Sequence, residues 1–301
     1  MSRHLGLDLG GSAIKSVVLE RSGDTYHELS KAVFETHAHE RPEGIVAQLG
    51  EVGRGIAEAA GGVDTAGITI PGTFDLETGV AHFVTNLGGA RWNGVSVREP
   101  VQQALGVPLR LINDARAFGF AESRLGAARD CDTAAFFTLG TGVGGAVVVG
   151  RRLQLGYGSA GELGHMTVDA SDDAPLCGCG NRGCVEAHVK ASAIARMAGC
   201  ASAEEVVAAA RAGDVRAGEA LARAGHWLGV AISSMIAVLN PERVVVGGGV
   251  AAAGGLILGP AREEVHRRVR VPPFDRTEVV RAELGYEAGS IGAALWGAEA
   301  A

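Results

Sequence analysis

The sequence FFTLGTGVGGAVVV, residues 136–149, places a glycine-rich turn between two apolar runs. Gly140, Gly142 and Gly145 satisfy the Gly-x-Gly-x-x-Gly pattern of dinucleotide-binding proteins, but that pattern requires a helix directly after the glycines. Residues 146–149 are rich in valine and predict a strand instead. The segment is therefore interpreted as a β-hairpin, which disfavours a dinucleotide-binding fold.

A similar turn lies near the N-terminus, where Asp8-Leu9-Gly10-Gly11-Ser12 separates the strand candidates 3–9 and 14–20. Glycine allows a close backbone approach, so successive N–H groups can point at a phosphate. Hairpins often turn on glycine without any ligand, so either turn alone is a weak signal. Two such turns, with hydroxyls at Ser12 and Thr141, favour a nucleotide clamp between two domains. Asp8 is expected to hold Mg²⁺ through water, because this ion prefers one or two carboxylates plus phosphate oxygens.

Away from these turns the chain mixes strand and helix periods, which implies α/β layers. Strands are predicted at 66–70, 109–112, 244–246 and 277–280, and helices at 42–60, 95–105, 114–125, 256–270 and 289–299. Residues 133–155 are expected to be rich in strands, 156–184 to be irregular, and 185–239 to be mostly helical. A third glycine cluster, Gly247-Gly248-Gly249, follows one of the strand candidates.

The composition narrows the class of protein. The 301 residues include 46 glycines, with 47% hydrophobic and 20% charged residues. Such a chain can bury a core, and its glycines have no three-residue period, so disordered and collagen-like classes are excluded. An excess of 34 acidic over 27 basic residues opposes nucleic-acid binding. Asp8 disfavours a secretory leader. The uncharged stretch 244–261 holds six glycines and a proline and predicts no membrane helix, so a cytoplasmic protein is expected.

Three of the five cysteines lie within the eight residues Cys177-Gly-Cys-Gly-Asn-Arg-Gly-Cys184, and His165 stands twelve residues before the first of them. Three Cys and one His form a closed tetrahedral Zn²⁺ site of the structural kind, whereas a catalytic zinc keeps one position open. The alternative, that these are only small buried cysteines, leaves their spacing unexplained. The sequence predicts a structural metal site made by His165, Cys177, Cys179 and Cys184.

Carboxylates beside this loop and at a strand end are further candidates. Glu162 and Glu186 bracket the cysteines and are either solvated surface acids or side chains that the metal loop holds in place. Asn113-Asp114 follows the strand candidate 109–112, where Asp is either an N-cap or a group that faces a ligand. Because ligands of α/β sheets bind at the carboxyl ends of strands, Asp114 is a candidate base for a hydroxyl that attacks a phosphoryl group.

Together these segments resemble the ROK family of sugar kinases and related repressors, part of the actin-like, hexokinase-like ATPase superfamily. Residues 6–12 with Lys15 resemble the first phosphate motif, 139–145 the second, and 245–249 the adenosine segment. Glu162-Leu163-Gly164-His165 and the cysteine cluster through Glu186 resemble the zinc signature of the family, which is the most specific of these motifs. The resemblance spans nearly the whole chain.

The resemblance implies a two-domain α/β fold of the ribonuclease H-like type, with the active site in the interdomain cleft. One domain would be residues 1–114, completed by the C-terminal helix 289–301, and the other would be residues 115–288 with the zinc loop. ATP, Mg²⁺ and structural Zn²⁺ would be bound, and a homodimer is implied. The nucleotide would contact Asp8, Gly10, Gly11, Ser12, Lys15, Gly140, Thr141, Gly142, Gly144, Gly247, Gly248 and Gly249.

The implied activity is ATP-dependent phosphorylation of the 6-hydroxyl of a hexose, with glucose as the first expectation. Asp114 would be the catalytic base, and His165 would both ligate zinc and touch the sugar. The sugar would contact Asn86, Asn113, Asp114, Glu162, His165 and Glu186.

Two departures from the family pattern leave alternatives open. Arg116 stands where the family usually has a second Asn, and Lys190 replaces a common Ser. Helical residues two apart diverge by about 200°, so Arg116 is expected to point away from Asp114. If the two cations are not simply solvated, they favour an amino or N-acyl hexose such as glucosamine, kanosamine or N-acetylmannosamine.

Functions of another class fit the sequence less well. A sugar-responsive repressor of the same family would need a DNA-binding segment before the first phosphate motif, for which the position of Asp8 leaves no room. A zinc hydrolase conflicts with four protein ligands on the metal. Polyphosphate stays open as a phosphoryl donor in place of ATP.

Overall fold

The computed structural model describes residues 1–270 and 276–299, and its elements confirm the predicted α/β class. The strands are β1 (Ser2–Leu9), β2 (Ala13–Ser22), β3 (Thr25–Glu35), β4 (Thr65–Ile70), β5 (Gly72–Phe74), β6 (Val80–Val84), β7 (Val95–Ser96), β8 (Leu109–Asn113), β9 (Ala134–Leu139), β10 (Val143–Val149), β11 (Arg152–Leu153), β12 (Arg243–Gly247) and β13 (Glu278–Arg281). The helices are α1 (Pro42–Ala59), α2 (Arg98–Leu105), α3 (Asp114–Arg124), α4 (Val185–Val189), α5 (Ala191–Ala198), α6 (Ala203–Arg211), α7 (Val215–Leu239), α8 (Gly255–Arg268) and α9 (Ala288–Ala298).

Contacts within the chain group it into two compact units. Unit 1 contains Met1–Ala121, Gly156–Ser159 and the described residues from Tyr286 onward, and unit 2 contains Glu122–Leu155 and Ala160–Gly285. The domain boundaries expected from the sequence stay a prediction. The last two residues of the expected helix 289–301 lie outside the described residues.

Unit 1 contains a five-stranded sheet with the order β3-β2-β1-β4-β8. β2 is antiparallel to β1 and β3, whereas β1, β4 and β8 are parallel. Leu9 pairs with Ile14, which confirms the predicted hairpin around Gly10 and Gly11. Apolar side chains of the sheet pack with those of α1 into one core, because every second residue of a strand faces the same side.

Unit 2 repeats this topology in the order β11-β10-β9-β12-β13. β10 is antiparallel to β9 and β11, and β9, β12 and β13 are parallel. Leu139 pairs with Val143, so the glycine turn at 140–142 closes a hairpin and the strand predicted after it is confirmed. The core of this unit includes apolar residues of α7 and α8.

Helix α9 lies very close to the sheet of unit 1 because glycine removes side chains from both surfaces. A Cβ atom on Gly67 of β4 would overlap the carbonyl oxygen of Ala293, and one on Gly6 of β1 would overlap that of Ser290. Backbone packed this closely leaves no room for any larger residue. α9 is thereby held directly against the parallel strands whose carboxyl ends carry the polar residues described below.

A buried carboxylate joins both ends of unit 2. Glu122, the first residue of the unit, has no exposed surface. Its side-chain oxygens accept hydrogen bonds from the backbone N–H groups of Ala127 at 2.7 Å, Leu284 at 2.8 Å and Glu283 at 3.2 Å. These bonds satisfy an acid that would otherwise be costly to bury.

One sequence prediction for unit 1 needs correction, and two features of the unit were not predicted. The helix expected over 95–105 begins only at Arg98, because Val95 pairs with Ala81 as a short strand after Gly94, whose φ is +84°. The predictions did not include β3, an edge strand whose mostly exposed side chains give no apolar alternation. The small sheet of β5, β6 and β7 was not expected either.

One helix of the described chain, α7, is long and apolar enough by length and composition to cross a membrane. Half of its most apolar 18-residue window is buried inside the structure. A buried core helix passes the same test of length and composition, so this feature is weak support for a membrane span.

Candidate active site

The first glycine hairpin carries an acid with two bound partners. The Asp8 side chain is buried at the end of β1, where Thr69 Oγ donates to Oδ1 at 2.5 Å and Lys15 Nζ lies 2.6 Å from Oδ2. A Cβ on Gly289, in the first turn of α9, would lie 2.6 Å from the same Oδ2. The positive end of the α9 dipole therefore adds to the cation beside Asp8. This corner can neutralise negative charge and hold a carboxylate in a fixed orientation.

Asn113 and Asp114 divide two roles at the end of β8. Asn113 Oδ1 accepts hydrogen bonds from the backbone N–H groups of Ala115 at 3.1 Å and Arg116 at 3.3 Å. Asn113 is therefore the N-cap of α3, and Asp114 is the exposed first residue of the helix. The interpretation of Asp114 as the N-cap is therefore wrong, because the N-cap is Asn113, one residue earlier. The Asp114 carboxylate lies in the first turn of α3, at the carboxyl end of the parallel strands.

Two other residues of unit 1 show unusual environments. Asn86 is exposed and adopts a φ of +63°, a left-handed conformation that Asn tolerates better than most residues. A Cβ on Gly11 would lie 3.3 Å from the Asn86 Cβ, so Asn86 lies beside the first hairpin. Arg116 is only 5% exposed, which excludes the solvated interpretation of this cation, whereas Lys190 in unit 2 is half-buried.

In unit 2 the second hairpin lies beside the third glycine cluster. β12 runs parallel to β9, with Gly247 opposite Thr138. A Cβ on Gly248, whose φ is +84°, would overlap the carbonyl oxygen of Leu139. Only glycine fits this approach. The structure thus brings Gly248 and the turn at 140–142 together at the carboxyl ends of two neighbouring strands.

Glu186 joins the second hairpin to the cysteine loop. Its Oε2 accepts a hydrogen bond from the Val143 N–H at 3.1 Å, and its Oε1 accepts one from the Cys177 thiol at 3.5 Å. The side chain is half-buried, so the interpretation of Glu186 as a solvated acid is wrong. Glu162 and His165 are exposed, at the two ends of a segment that packs on β10 through Leu163 and Gly164.

The predicted cysteine and histidine ligands form one cluster. The ligand atoms of His165, Cys177, Cys179 and Cys184 all lie within 4.8 Å of one another. Cys179 Sγ lies 3.7 Å from Cys184 Sγ, and Cys177 Sγ lies 3.7 Å from His165 Nδ1. Tetrahedral zinc with Zn–S bonds of about 2.3 Å sets its sulfurs roughly 3.8 Å apart. The donors and their spacing fit a tetrahedral metal ion.

The environment of the thiols explains why such a site favours a metal. Burial raises the pKa of Cys177 to about 12 and raises the pKa of Cys184 above its usual value. A hydrogen bond from the Asn181 backbone N–H lowers the pKa of Cys179. A divalent cation binds thiolates and displaces their protons, so it would offset the cost of ionising the two buried thiols.

The repeated topology, the two glycine hairpins and the polar strand ends define a class: proteins of the actin-like, hexokinase-like fold, in which a phosphate-binding hairpin recurs in each half. The chain belongs to the ROK family, whose sequence model matches residues 4–300. This confirms the family and the fold expected from the motifs.

Three known proteins illustrate the similarity. A glucokinase of Thermotoga maritima is 34% identical to this chain over 313 residues, covering 96% of this chain and 95% of its own. The crystal structure of a ROK hexokinase from Thermus thermophilus has a TM-score of 0.84 and 32% identity, covering 99% and 98% of the two chains. That of a ROK family glucokinase from Streptomyces griseus in complex with glucose and AMPPNP has a TM-score of 0.82 and 29% identity, covering 99% of each.

Proposed function

We propose that this protein is an ATP-dependent kinase that transfers the γ-phosphate of ATP to the 6-hydroxyl of a hexose, with glucose as the preferred substrate. The observation that carries the proposal is the exposed Asp114 carboxylate at the carboxyl ends of the parallel strands of unit 1. Similarity to glucokinases along nearly the whole chain, one of them crystallised with glucose and AMPPNP, supports both substrates.

Asp114 is the base in this proposal. A carboxylate accepts the proton of the attacking hydroxyl as the phosphoryl group transfers, while most of the catalysis comes from positioning and charge stabilisation. Because Asn113 caps α3, the Asp114 side chain is not needed as the N-cap. Asp114 is exposed at the first turn of α3, at the edge of the sheet where the parallel strands end.

The hexose hydroxyls bind Asn86, Asn113, Glu162, His165 and Glu186. Asn113 donates one amide hydrogen to the Gly72 carbonyl at 3.2 Å, and an amide has a second hydrogen for a sugar oxygen. His165 turns Nδ1 toward Cys177, so Nε2 is the nitrogen for the sugar. Because a metal fixes the ring through Nδ1, zinc binding orients the sugar contact.

The phosphates of ATP bind the two hairpins, and the adenosine binds the third glycine cluster. The residues are Asp8, Gly10, Gly11, Ser12, Lys15, Gly140, Thr141, Gly142, Gly144, Gly247, Gly248 and Gly249. Asp8 suits Mg²⁺ as a carboxylate near phosphate, and because Lys15 already lies 2.6 Å from its Oδ2, contact through water is favoured over direct coordination. The bound ion would neutralise charge on the phosphates.

The ligands for Zn²⁺ are His165, Cys177, Cys179 and Cys184. Four protein ligands close the coordination shell, so the ion stabilises the loop and supplies no open position for substrate. The proposal includes a homodimer in the cytoplasm, as the family resemblance implies. Light scattering coupled to size-exclusion chromatography measures the molar mass and tests the dimer.

The test of the activity is formation of the sugar phosphate from glucose, mannose, glucosamine, kanosamine or N-acetylmannosamine, with ATP and Mg²⁺ as one donor, where ADP release is also measured, and polyphosphate as the second. We expect the largest kcat/KM for glucose with ATP. A larger value for an amino or N-acyl sugar would replace glucose as the substrate. Absence of phosphoryl transfer to every sugar from both donors would overturn the proposed kinase.

A further inference from the structure

The Glu186 carboxylate occupies the space that a side chain at position 142 would fill. A Cβ on Gly142 would lie only 2.7 Å from Glu186 Oε2, the oxygen that accepts the Val143 N–H at 3.1 Å. The other oxygen, Oε1, faces the cysteine loop, where a Cβ on Gly178 would lie 4.0 Å away. The Glu186 carboxylate therefore contacts the glycine turn of the hairpin through Oε2 and directs Oε1 toward the cysteine loop.

The hairpin is anchored to other segments that carry proposed sugar residues. A Cβ on Gly164, one residue before His165, would overlap the Val143 carbonyl oxygen. The backbone N–H of Ala191, five residues after Glu186, donates to the Gly140 carbonyl at 2.9 Å. The Val143 N–H therefore binds Glu186, and the Val143 carbonyl lies against the segment that carries His165. The carbonyl of Gly140, the first residue of the turn, is bound by the segment that follows Glu186.

These contacts give a physical route for coupling two ligands. A hydrogen bond from a backbone N–H to a carboxylate is charge-assisted and stronger than one between neutral groups. A sugar hydroxyl bound to Oε1 restricts the Glu186 side chain and so fixes the orientation of Oε2. The backbone at Gly142 and Val143 then has one preferred position, and a phosphate that uses the same turn meets a prearranged site.

We propose that Glu186 is a positioning residue for the nucleotide as well as a sugar ligand, so that hexose and nucleotide each raise the affinity of the protein for the other through the 140–144 turn. The proposal rests on the proposed kinase function and adds a coupling between its two substrates. Thermodynamic linkage requires the same factor in both directions.

The experiment measures the Kd of glucose by calorimetry with and without saturating AMPPNP and Mg²⁺. The ratio of the two Kd values is the coupling factor, which does not depend on the intrinsic affinity for either ligand. We expect a factor of at least about 5 for the unmodified protein, the lower end of the usual range for coupled sites. A factor within twofold of 1 would overturn the proposal.

Two glycine substitutions in unit 2 separate the loss of coupling from a general effect of alanine on stability. Neither Gly142 nor Gly218 of α7 has a positive φ, so alanine suits both backbones. In Gly142→Ala the new Cβ displaces the Glu186 carboxylate, and we expect the coupling factor to fall to within twofold of 1. In the control Gly218→Ala the Cβ meets no atom within 4 Å, and we expect the glucose Kd and the coupling factor to be retained. Equal coupling in the two variants contradicts the inference.

A second variant tests the same idea if Gly142→Ala does not fold. Glu186→Asp keeps the charge but shortens the side chain, so one carboxylate no longer reaches both the Val143 N–H and a sugar, and the coupling should be lost. Retained coupling overturns the proposal. If the unmodified protein neither binds nor phosphorylates any hexose, the proposed function itself fails. If it phosphorylates glucose without coupling, only the role of Glu186 is wrong.

Discussion

The two sheets of the molecule have the same topology, but their hairpins are supported by different chemistry. In unit 1 the turn is held by a neutral residue, because Thr36 Oγ donates to the Gly10 carbonyl at 2.8 Å and its N–H donates to the Ser12 carbonyl at 3.1 Å. In unit 2 the equivalent turn is held by the Glu186 carboxylate, which follows a loop that carries three of the four predicted metal ligands.

The difference shows what a repeated topology does and does not determine. Both sheets place a glycine turn between their first two strands and a polar or glycine residue at the carboxyl ends of the parallel strands. In unit 1 the acids at these positions are supplied by regular elements, β1 and α3. In unit 2 Glu162 lies in an irregular segment before His165, and Glu186 lies in the short helix α4 directly after the cysteine loop. We therefore expect metal loss to affect unit 2 selectively.

The largest effect should come from removing the metal. In Cys184→Ser, bound zinc should fall from about one ion per chain to none, measured by mass spectrometry of the metal. Metal binding contributes on the order of 10 kcal/mol to the folding of small zinc peptides, so the loop should lose its order. Trypsin should then cleave after Arg182 much faster than in the unmodified protein, while unit 1 stays resistant.

The control for this change is Cys200→Ser, a half-buried thiol outside the ligand cluster. It should retain the zinc and the slow cleavage. Stoichiometric zinc in Cys184→Ser, or equally fast cleavage of both units, would contradict the expectation that metal loss affects unit 2 and leaves unit 1 intact.

The next largest effect should be on turnover. Asp114→Asn keeps the size of the side chain but removes the base, and kcat should fall about 10²- to 10⁴-fold. The Kd of glucose should change little, and the melting temperature should fall only slightly, because Asn113 keeps the N-cap of the helix. Steady-state kinetics measures kcat, calorimetry measures the Kd of glucose, and thermal unfolding measures the melting temperature.

Two further variants test whether Asn113 acts as the N-cap of α3 and Asp114 as the base. Asn113→Ala removes the cap and should lower the free energy of unfolding by about 0.5–2 kcal/mol. Asp24→Asn removes a fully exposed acid in the turn after β2 and should leave kcat unchanged. Turnover in Asp114→Asn at the level of Asp24→Asn would remove Asp114 from the mechanism.

The sequence allowed the parallel strands and both hairpins to be predicted, because their apolar runs and glycines act locally. It did not allow β3 to be predicted, since the exposed side chains of that edge strand carry no periodic signal. The sequence also could not show that the N-cap of α3 is Asn113 and not Asp114. Both residue types cap helices well, and only the coordinates separate two adjacent candidates.

The cluster of His165 with the three cysteines was predictable from spacing, whereas the contact of Glu186 with Val143 was not. The two residues are 43 positions apart and meet only after the cysteine loop and β10 have packed. The burial of Arg116 likewise depends on its surroundings in three dimensions, since arginine is usually exposed. One signal for the contact of Glu186 was present in the sequence. Position 142 is a glycine, and a side chain there would occupy the space of the Glu186 carboxylate.

The two units also differ in how their helices pack. α9 in unit 1 rests on glycines, so Gly67→Ala should force a Cβ into the Ala293 carbonyl and lower the free energy of unfolding by about 3 kcal/mol. Urea denaturation followed by tryptophan fluorescence measures the change. In the control Gly55→Ala, an exposed position of α1 with nothing within 4 Å of the new Cβ, stability should rise by about 0.5–1 kcal/mol. Equal stability of the two variants would exclude close packing of α9.

The α7–α8 pair in unit 2 adds a charge cluster to its glycines. Glu264 of α8 is buried beside Gly229 of α7 and accepts hydrogen bonds from Arg267 at 2.6 Å and from Arg268, with His226 at 3.3 Å. The bonds from Arg267, together with those from Arg268, lower the pKa of Glu264 to about 2 from its ordinary 4.5. The charged form is therefore more favourable in the folded protein than in the unfolded chain.

A pH-dependent effect on stability follows from the lowered pKa of Glu264. A lowered folded-state pKa contributes stability above pH 4.5, and that contribution is lost as the pH falls through about 2. Glu264→Gln should therefore be less stable than the unmodified protein by about 1.5–3 kcal/mol at pH 7. The difference should narrow below pH 4.5 and disappear near pH 2, measured as melting temperature against pH. The exposed neighbour substitution Glu263→Gln should show no such convergence. A constant difference for Glu264→Gln down to pH 2.5 would mean that packing alone, and not charge, holds α8 to α7.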